Sequence, residues 1–141
     1  MHKIYKFISY FLIPFIYLNT FIRLIKKKED NNRYKERFGF TNLKKNGEKE
    51  VIWIHASSVG EFKSCDLLIN HFYKTYNLLI TTTTKTASDY AIENYGEKII
   101  HQYAPYDVVP WIDKFLDLWK PKLVIWIESD IWPNTIVRLR E

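Results

Sequence analysis

The stretch VIWIHASSVGEFKSC, residues 51–65, contains the pattern that decides the fold. Val51–His55 is an almost unbroken apolar run without polar alternation, which is typical of a strand covered on both faces. Ser58 and Gly60 follow it, and the spacing predicts that a helix begins at Glu61. A strand followed at once by a helix indicates one unit of a parallel α/β sheet.

Similar strand and helix units follow along the chain. Aliphatic and β-branched runs predict further strands at Leu78–Thr82, Ile99–Tyr103 and Leu123–Ile127. The stretches between the strands predict helices at Glu61–Tyr76, Thr86–Tyr95 and Val108–Trp119, and a fifth unit begins at Pro133. This alternation predicts an α/β fold, a Rossmann-like parallel sheet with right-handed crossovers and helices on both faces.

Polar residues cluster where the predicted strands end. Ligands of open parallel sheets bind beyond the carboxyl ends of the strands. We therefore expect a ligand site at this edge, although helix caps account for part of the polarity. The four loops contain His55, Ser57, Ser58, Gly60 and Glu61; Thr81 to Thr86 with Lys85; Tyr106 and Asp107; and Glu128, Ser129, Asp130 and Asn134.

Glu61 has two interpretations. Ser58 followed three residues later by Glu61 fits the capping box, in which the two side chains bond each other's backbone N–H groups. A carboxylate at a strand end could instead deprotonate a sugar or alcohol hydroxyl, and Gly60 would let a ligand approach the backbone closely. The spacing alone leaves both interpretations open.

The second and third loops also have two interpretations each. The run TTTTKTASD, residues 81–89, fits a strand end with Thr86 or Ser88 as helix cap. Its hydroxyls and the ammonium group of Lys85 could instead contact a phosphate or a sugar. In YAPYD, residues 103–107, we expect Asp107 to cap the helix that follows.

The fourth loop carries two acids, Glu128 and Asp130, where a helix cap needs only one. A metal ion or the stabilisation of charge during a reaction would explain the second acid. Metal binding is the weaker interpretation, because no histidine or third acid lies near in sequence. The sequence also lacks the GxGxxG, GxxxxGK[ST], HExxH and GxSxG motifs, so none of its motifs predicts a cofactor.

The first fifty residues predict a membrane anchor and a linker. Phe7–Ile22 is an apolar run of sixteen residues, shorter than the roughly 20 that an upright span needs. A helix buried in the domain is the alternative. We favour an anchor over residues 1–28, either spanning the bilayer or lying in its interface. More basic residues follow the run than precede it, which predicts that the rest of the chain is cytoplasmic.

Residues 29–50 predict a basic, solvated linker with one short amphipathic piece around Tyr34–Phe40, and residues 51–141 form the α/β domain. The net charge of +5 is concentrated just after the apolar run. This position predicts contact with anionic membrane lipids and not with nucleic acid. Cys65 is the single cysteine of the 141 residues, so an intramolecular disulfide is excluded.

Five segments, in this order and spacing, resemble the N-terminal domain of the 3-deoxy-D-manno-octulosonic acid (Kdo) transferases of lipopolysaccharide biosynthesis. The resemblance implies a membrane-associated, metal-independent, inverting glycosyltransferase of the two-domain GT-B type. Such an enzyme transfers Kdo from CMP-Kdo to a lipid A precursor, lipid IVA, at the cytoplasmic face of the cell inner membrane. The segments are ERFGF, HASSVGE, TTTTKTASD, YAPYD and PKLVIWIESDIWPN.

The same resemblance implies roles for particular residues. Glu61 matches the general base and Glu128 an acid that stabilises the transition state. Asp130 stands where the family often has glutamate, and Ala87 where proline is common. The candidates for acceptor binding are Ser58, Gly60, Thr84, Lys85 and Asp130.

The resemblance also implies that CMP-Kdo binds mainly to a C-terminal domain that these residues do not include. We therefore expect the chain to be the acceptor-side part of a larger or divided enzyme. The alternative is a membrane-anchored module that binds a glycolipid or a phosphate without catalysis.

Overall fold

Four strands form one parallel sheet in the computed structural model, which describes residues 2–127 and 132–140. The order across the sheet is β3-β2-β1-β4, so the first strand lies in the middle. Each predicted strand is confirmed to within one residue at either end, as is the α/β class. The strands are β1 (Val51–His55), β2 (Asn77–Thr82), β3 (Ile100–Tyr103) and β4 (Leu123–Trp126).

The helices confirm the predicted alternation, with one exception. The helix predicted over Glu61–Tyr76 is two helices, because the Ser64 hydroxyl donates to the Glu61 carbonyl at 2.6 Å and competes with the backbone there. A 3-10 helix covers Tyr34–Phe38. The α-helices are α1 (His2–Phe11), α2 (Ile13–Ile25), α3 (Val59–Lys63), α4 (Asp66–Phe72), α5 (Lys85–Tyr95), α6 (Val109–Trp119) and α7 (Pro133–Arg140).

Strand β1 is buried along its whole length, because helices cover both of its faces. One face packs against α3 and α4, and the other packs against α6. This is why the strand shows no polar alternation in the sequence. The first cluster includes Ile52, Ile54, Phe62 and Ile69, and the second includes Val51, Trp53, Phe115 and Trp119.

Residues 29–38 do not form the solvated segment that their composition predicts. Glu29, Glu36, Arg37 and Phe38 are buried, each with at most 5% of its surface exposed. Acidic and basic side chains tolerate such burial when they pair with one another and with backbone groups. The prediction of a solvated face is therefore wrong for this part of the linker.

The segment covers the outer edge of β3. Arg33 donates two hydrogen bonds to the Glu36 carboxylate, both at 2.9 Å. The same guanidinium donates to the His101 carbonyl at 2.7 Å, and Glu36 accepts from the Tyr103 N–H at 2.8 Å. Two side chains thus occupy backbone groups that another strand would otherwise pair with.

The two N-terminal helices meet at a bend of 52°. Pro14 lies in the first turn of α2, where its missing N–H leaves the backbone ladder between the helices open. Neither α1 nor α2 alone has the length and apolarity to cross a membrane, whereas the bent pair does by length and composition.

The helix pair contacts the domain along one side and leaves many apolar side chains exposed on the other. Ser9 and Thr20 are buried, and Thr20 forms a hydrogen bond of 3.0 Å with the Tyr106 hydroxyl. Tyr17 stacks on Phe38 with ring centroids 4.7 Å apart. A helix pair buried in the domain is therefore the wrong alternative. The exposed apolar residues include Ile4, Phe7, Ile8, Phe11, Phe15, Leu18, Phe21 and Ile25.

His101 generates a prediction for the pH dependence of stability. Burial, and secondarily the charge of Arg33, lowers the pKa of His101 to about 3. The folded chain therefore favours the neutral ring. The stability that this preference contributes is fully present above the unfolded pKa of about 6.5 and is lost as the pH falls toward 3. Between about pH 7 and pH 5, the native chain should lose roughly 2 kcal/mol more unfolding free energy than His101→Gln.

Urea unfolding at both pH values measures this difference. His71→Gln removes an exposed histidine and should leave the slope of the native chain unchanged. Equal slopes for the native chain and His101→Gln would contradict the prediction.

Candidate functional site

The loops after β1 and β2 lie side by side at the carboxyl edge of the sheet. The hydroxyl oxygens of Ser57 and Thr83 are 2.7 Å apart, and the Thr83 hydroxyl also lies 3.1 Å from the Ser57 carbonyl, to which it donates. Arg37 donates to the Thr83 carbonyl at 2.6 Å. The predicted polar edge therefore brings these two loops together and adds an arginine from the N-terminal segment.

Glu61 forms the capping box that the spacing predicts. Its Oε2 atom accepts hydrogen bonds from the backbone N–H groups of Ser57 and Ser58, at 2.7 and 3.1 Å. The Ser58 hydroxyl accepts from the Glu61 N–H at 3.3 Å. Among residues 2–127 and 132–140, no group donates to the other carboxylate oxygen, Oε1. One oxygen thus orients the carboxylate while the other is available to a ligand.

Gly60 leaves open space beside this carboxylate. A Cβ atom built at Gly60 would meet only the Ser58 hydroxyl, at an ordinary contact distance of 3.9 Å. Packing within the described part of the chain therefore does not require glycine here. The small residue keeps the surface beside Glu61 accessible.

His55 lies beneath the loops, where its ring packs among aromatic side chains. Its Nδ1 atom is 2.8 Å from the Thr81 hydroxyl, which also accepts from the Trp53 indole N–H at 2.8 Å. The ring packs against Trp126 and Trp132, with centroids 4.3 and 4.9 Å away. Burial lowers the pKa of His55 to about 4, so the ring is neutral at pH 7.

Thr84 and Lys85 lie where the second loop enters α5. Thr84 is the helix cap, because its hydroxyl accepts from the Ala87 N–H at 3.2 Å. The predicted caps, Thr86 and Ser88, are wrong because the helix begins earlier and Ser88 is buried beside His101. Thr84 and Lys85 are both exposed at the edge of the sheet.

Asp107 caps a different helix from the one predicted. Its carboxylate accepts from the Asn134 and Thr135 N–H groups, at 3.0 and 2.8 Å, at the start of α7. Val108 precedes α6 without a side-chain cap, and Pro110 removes one N–H from the first turn of that helix. The prediction that Asp107 caps α6 is therefore wrong, and the third and fourth loops are joined instead.

Glu128 and Asp130, the two acids of the fourth loop, lie outside the described residues. Their predicted roles stay predictions. Trp132 and Asn134, which follow them, are described, and Asn134 is fully buried.

A cavity of about 320 Å³ opens at the same edge of the sheet. Arg23 and Arg37 line it, and they donate to the two oxygens of the Glu29 carboxylate at 3.0 and 2.8 Å. Sequence reasoning missed both arginines, because they belong to segments that resemble an anchor and a linker. The lining includes Asn19, Arg23, Arg37, Thr83, Thr84 and Trp132.

A continuous series of hydrogen bonds joins the cavity to the candidate base. Each contact in it is 3.0 Å or shorter. Direct contacts therefore connect the loop that carries Glu61 to the residues that line the cavity. The series runs through Glu61, Ser57, Thr83, Arg37, Glu29 and Arg23.

Comparison with known proteins identifies the family to which the chain belongs. A family model described as 3-deoxy-D-manno-octulosonic-acid transferase (kdotransferase) matches residues 32–141. The fold and the match together define the class as a glycosyltransferase with a parallel α/β sheet. The chain belongs to the Kdo transferase family.

Individual relatives agree with this assignment. A 3-deoxy-D-manno-octulosonic acid transferase of Rickettsia bellii is 36% identical over 96% of this chain and 33% of its own length. One of Haemophilus influenzae is 32% identical over 82% of this chain and 28% of its own length. A protein of Arabidopsis thaliana described as "Probable 3-deoxy-D-manno-octulosonic acid transferase, mitochondrial" is 32% identical over 97% of this chain and 31% of its own length. The chain thus spans about a third of the length of these curated relatives.

Removing the cap hydroxyl should lower stability. Ser58→Ala leaves the Glu61 N–H without its side-chain acceptor, so we expect the unfolding free energy to fall by about 1 kcal/mol. Urea unfolding at neutral pH measures the change. Thr86→Ala removes an exposed hydroxyl that caps nothing and should change stability by less than half as much. Equal effects of the two substitutions would contradict the assignment of the cap.

Proposed function

We propose that this chain is the acceptor-side, base-bearing part of a Kdo transferase. The reaction is transfer of Kdo from CMP-Kdo to a lipid A precursor, lipid IVA. Family membership supports the reaction class, and one observation carries the role of the chain. That observation is the Glu61 carboxylate, which is fixed through Oε2 and open at Oε1 beside Gly60.

In this proposal Oε1 of Glu61 takes the proton of a glucosamine hydroxyl on the acceptor. The hydroxyl oxygen then bonds to the anomeric carbon of Kdo, and the bond from that carbon to the phosphate oxygen breaks. CMP leaves with the electron pair of the broken bond, and attack from the opposite face inverts the anomeric centre. No metal ion or cofactor takes part.

We propose supporting roles for other residues at the carboxyl edge of the sheet. We propose that Glu128 stabilises positive charge that develops on the sugar in the transition state. The acceptor would contact residues at the starts of α3 and α5 and in the fourth loop, and the CMP-Kdo donor would bind to a second domain of the GT-B type. The proposed acceptor contacts are Ser58, Gly60, Thr84, Lys85 and Asp130.

The proposed location is the cytoplasmic face of the cell inner membrane. We assign residues 1–28 to the anchor and residues 51–141 to the acceptor domain, and residues 29–50 connect the two, with residues 29–38 packed on the domain. The outward apolar faces of α1 and α2 support insertion among lipids, and the basic run Lys26–Lys28 supports contact with anionic headgroups.

Glu61→Gln should impair catalysis while it preserves the helix cap. Glutamine can still accept the two backbone hydrogen bonds, so folding should be nearly unchanged. It cannot accept the proton, so transfer should fall at least roughly 100-fold. The measurement is Kdo transfer by a full-length enzyme that carries this chain. Glu93→Gln, at an exposed position of α5, is the matched control, and turnover retained by Glu61→Gln would refute the proposed base.

Removing apolar surface from α1 should weaken membrane binding. Phe7 and Phe11 are 74% and 70% exposed and lie one helical turn apart. Changing both to serine should reduce binding to phosphatidylcholine–phosphatidylglycerol vesicles more than roughly tenfold, because each ring would otherwise be buried in lipid. Leu67→Ser, at a site 82% exposed on α4, is the control and should bind like the native chain. A double variant that binds normally would contradict insertion through α1.

The second candidate function is a membrane-anchored module that binds a glycolipid or a phosphate without catalysis. The arginine-lined cavity is the observation that favours it. Lipid A precursor binding by the chain, together with no transfer even when a donor-binding domain is supplied, would support this alternative over the enzyme.

A further inference from the structure

We infer that the cavity beside α2 binds the phosphomonoester group of an amphipathic ligand, with Arg23 and Arg37 as its cationic walls. The inference deepens the proposed function, because assigning the cavity to the acceptor side rests on that function. The binding chemistry itself follows from the contacts and charges of the cavity.

Charge at the cavity is positive. Glu29 offsets one of the two guanidinium charges, and it is bound through the Nε atoms of both arginines. Among the described lining residues none is acidic. The pair therefore retains one net positive charge in partly enclosed surroundings, where an anion is attracted more strongly than in open water.

Donor groups of both arginines are available to a ligand. Within residues 2–127 and 132–140, neither Nη1 atom has a hydrogen-bond partner, although both side chains line the cavity. Two guanidinium groups can share the oxygens of one phosphate, since each presents several N–H donors in a planar fork.

Arg37 is held rigidly in place. Its side chain is only 5% exposed, and Nη2 donates to the Thr83 carbonyl at 2.6 Å. The guanidinium carbon lies 4.9 Å from the ring centroid of Tyr103 and 5.7 Å from that of Tyr106. A charge positioned before the ligand arrives loses little conformational entropy on binding.

The surroundings of the cavity favour a ligand with an apolar portion. Asn19 and Arg23 are four residues apart on α2 and so share one face of the helix. Phe15 and Ile22 lie on the same side by helical spacing and are 59% and 39% exposed. An anionic group in the cavity would therefore have apolar surface directly beside it.

Vesicle binding by the complete chain tests the inference. One set of vesicles contains four parts phosphatidylcholine to one part phosphatidic acid, whose phosphate is a monoester. The other replaces phosphatidic acid by phosphatidylglycerol, a diester, at matched surface charge. The native chain should prefer phosphatidic acid by roughly tenfold, and inorganic phosphate should remove the preference while acetate at equal ionic strength should not.

Substitutions at the C-terminal end of α2 distinguish binding in the cavity from general attraction to positive charge. Arg23→Gln should abolish the preference, whereas Lys26→Gln, which removes an equal charge at an exposed site one turn away, should retain it. Arg23→Lys keeps the charge beside Glu29 and should restore part of the preference. Circular dichroism and urea unfolding check that each variant is folded.

The outcomes show whether the bound phosphate belongs to a lipid or to a soluble ester. Competition by inorganic phosphate that depends on Arg23, without a preference for phosphatidic acid, supports the phosphate site and assigns it to a soluble ester. Equal binding to both vesicle types without competition, or equal losses in Arg23→Gln and Lys26→Gln, overturns the inference. Competition by acetate as strong as by phosphate also overturns it, in favour of a carboxylate site. The vesicle experiment contains no CMP-Kdo, so its result does not depend on whether the chain takes part in transfer.

Discussion

The Glu29 carboxylate, buried between two arginines, is the interaction on which the arrangement of the site depends. A buried carboxylate is tolerated only when it is well paired, and here its two oxygens accept from Arg23 of α2 and Arg37 of the 3-10 helix. Arg37 then bonds the loop after β2. One side chain thus fixes the position of α2 relative to the carboxyl edge of the sheet.

A second pairing in the same segment completes the sheet itself. Arg33 and Glu36 occupy outward backbone groups of β3, the strand at one end of the described sheet. The N-terminal segment therefore has two structural tasks, covering this edge and carrying cationic groups to the site. Both tasks use charged residues whose composition alone is typical of a solvated linker.

The sequence was sufficient to predict the features that depend on neighbouring residues. Strands such as Val51–His55 are covered on both faces and appear as unbroken apolar runs, and the capping box of Glu61 is a local spacing. The partners of Asp107 and Arg37 could not be predicted, because they lie 27 and 46 residues away. The roles of Glu128 and Asp130 stay predictions, since both residues lie outside the described part of the chain.

The bond from the Asn134 side chain to the Ser9 hydroxyl joins residues 125 positions apart. A ribosome that adds roughly 5–20 residues per second needs about 6–25 s to make the intervening chain. During that interval the N-terminal helices exist without their final contact to α7. Synthesis therefore leaves the exposed apolar side chains of the helix pair without this anchoring contact for several seconds, until Asn134 has been added.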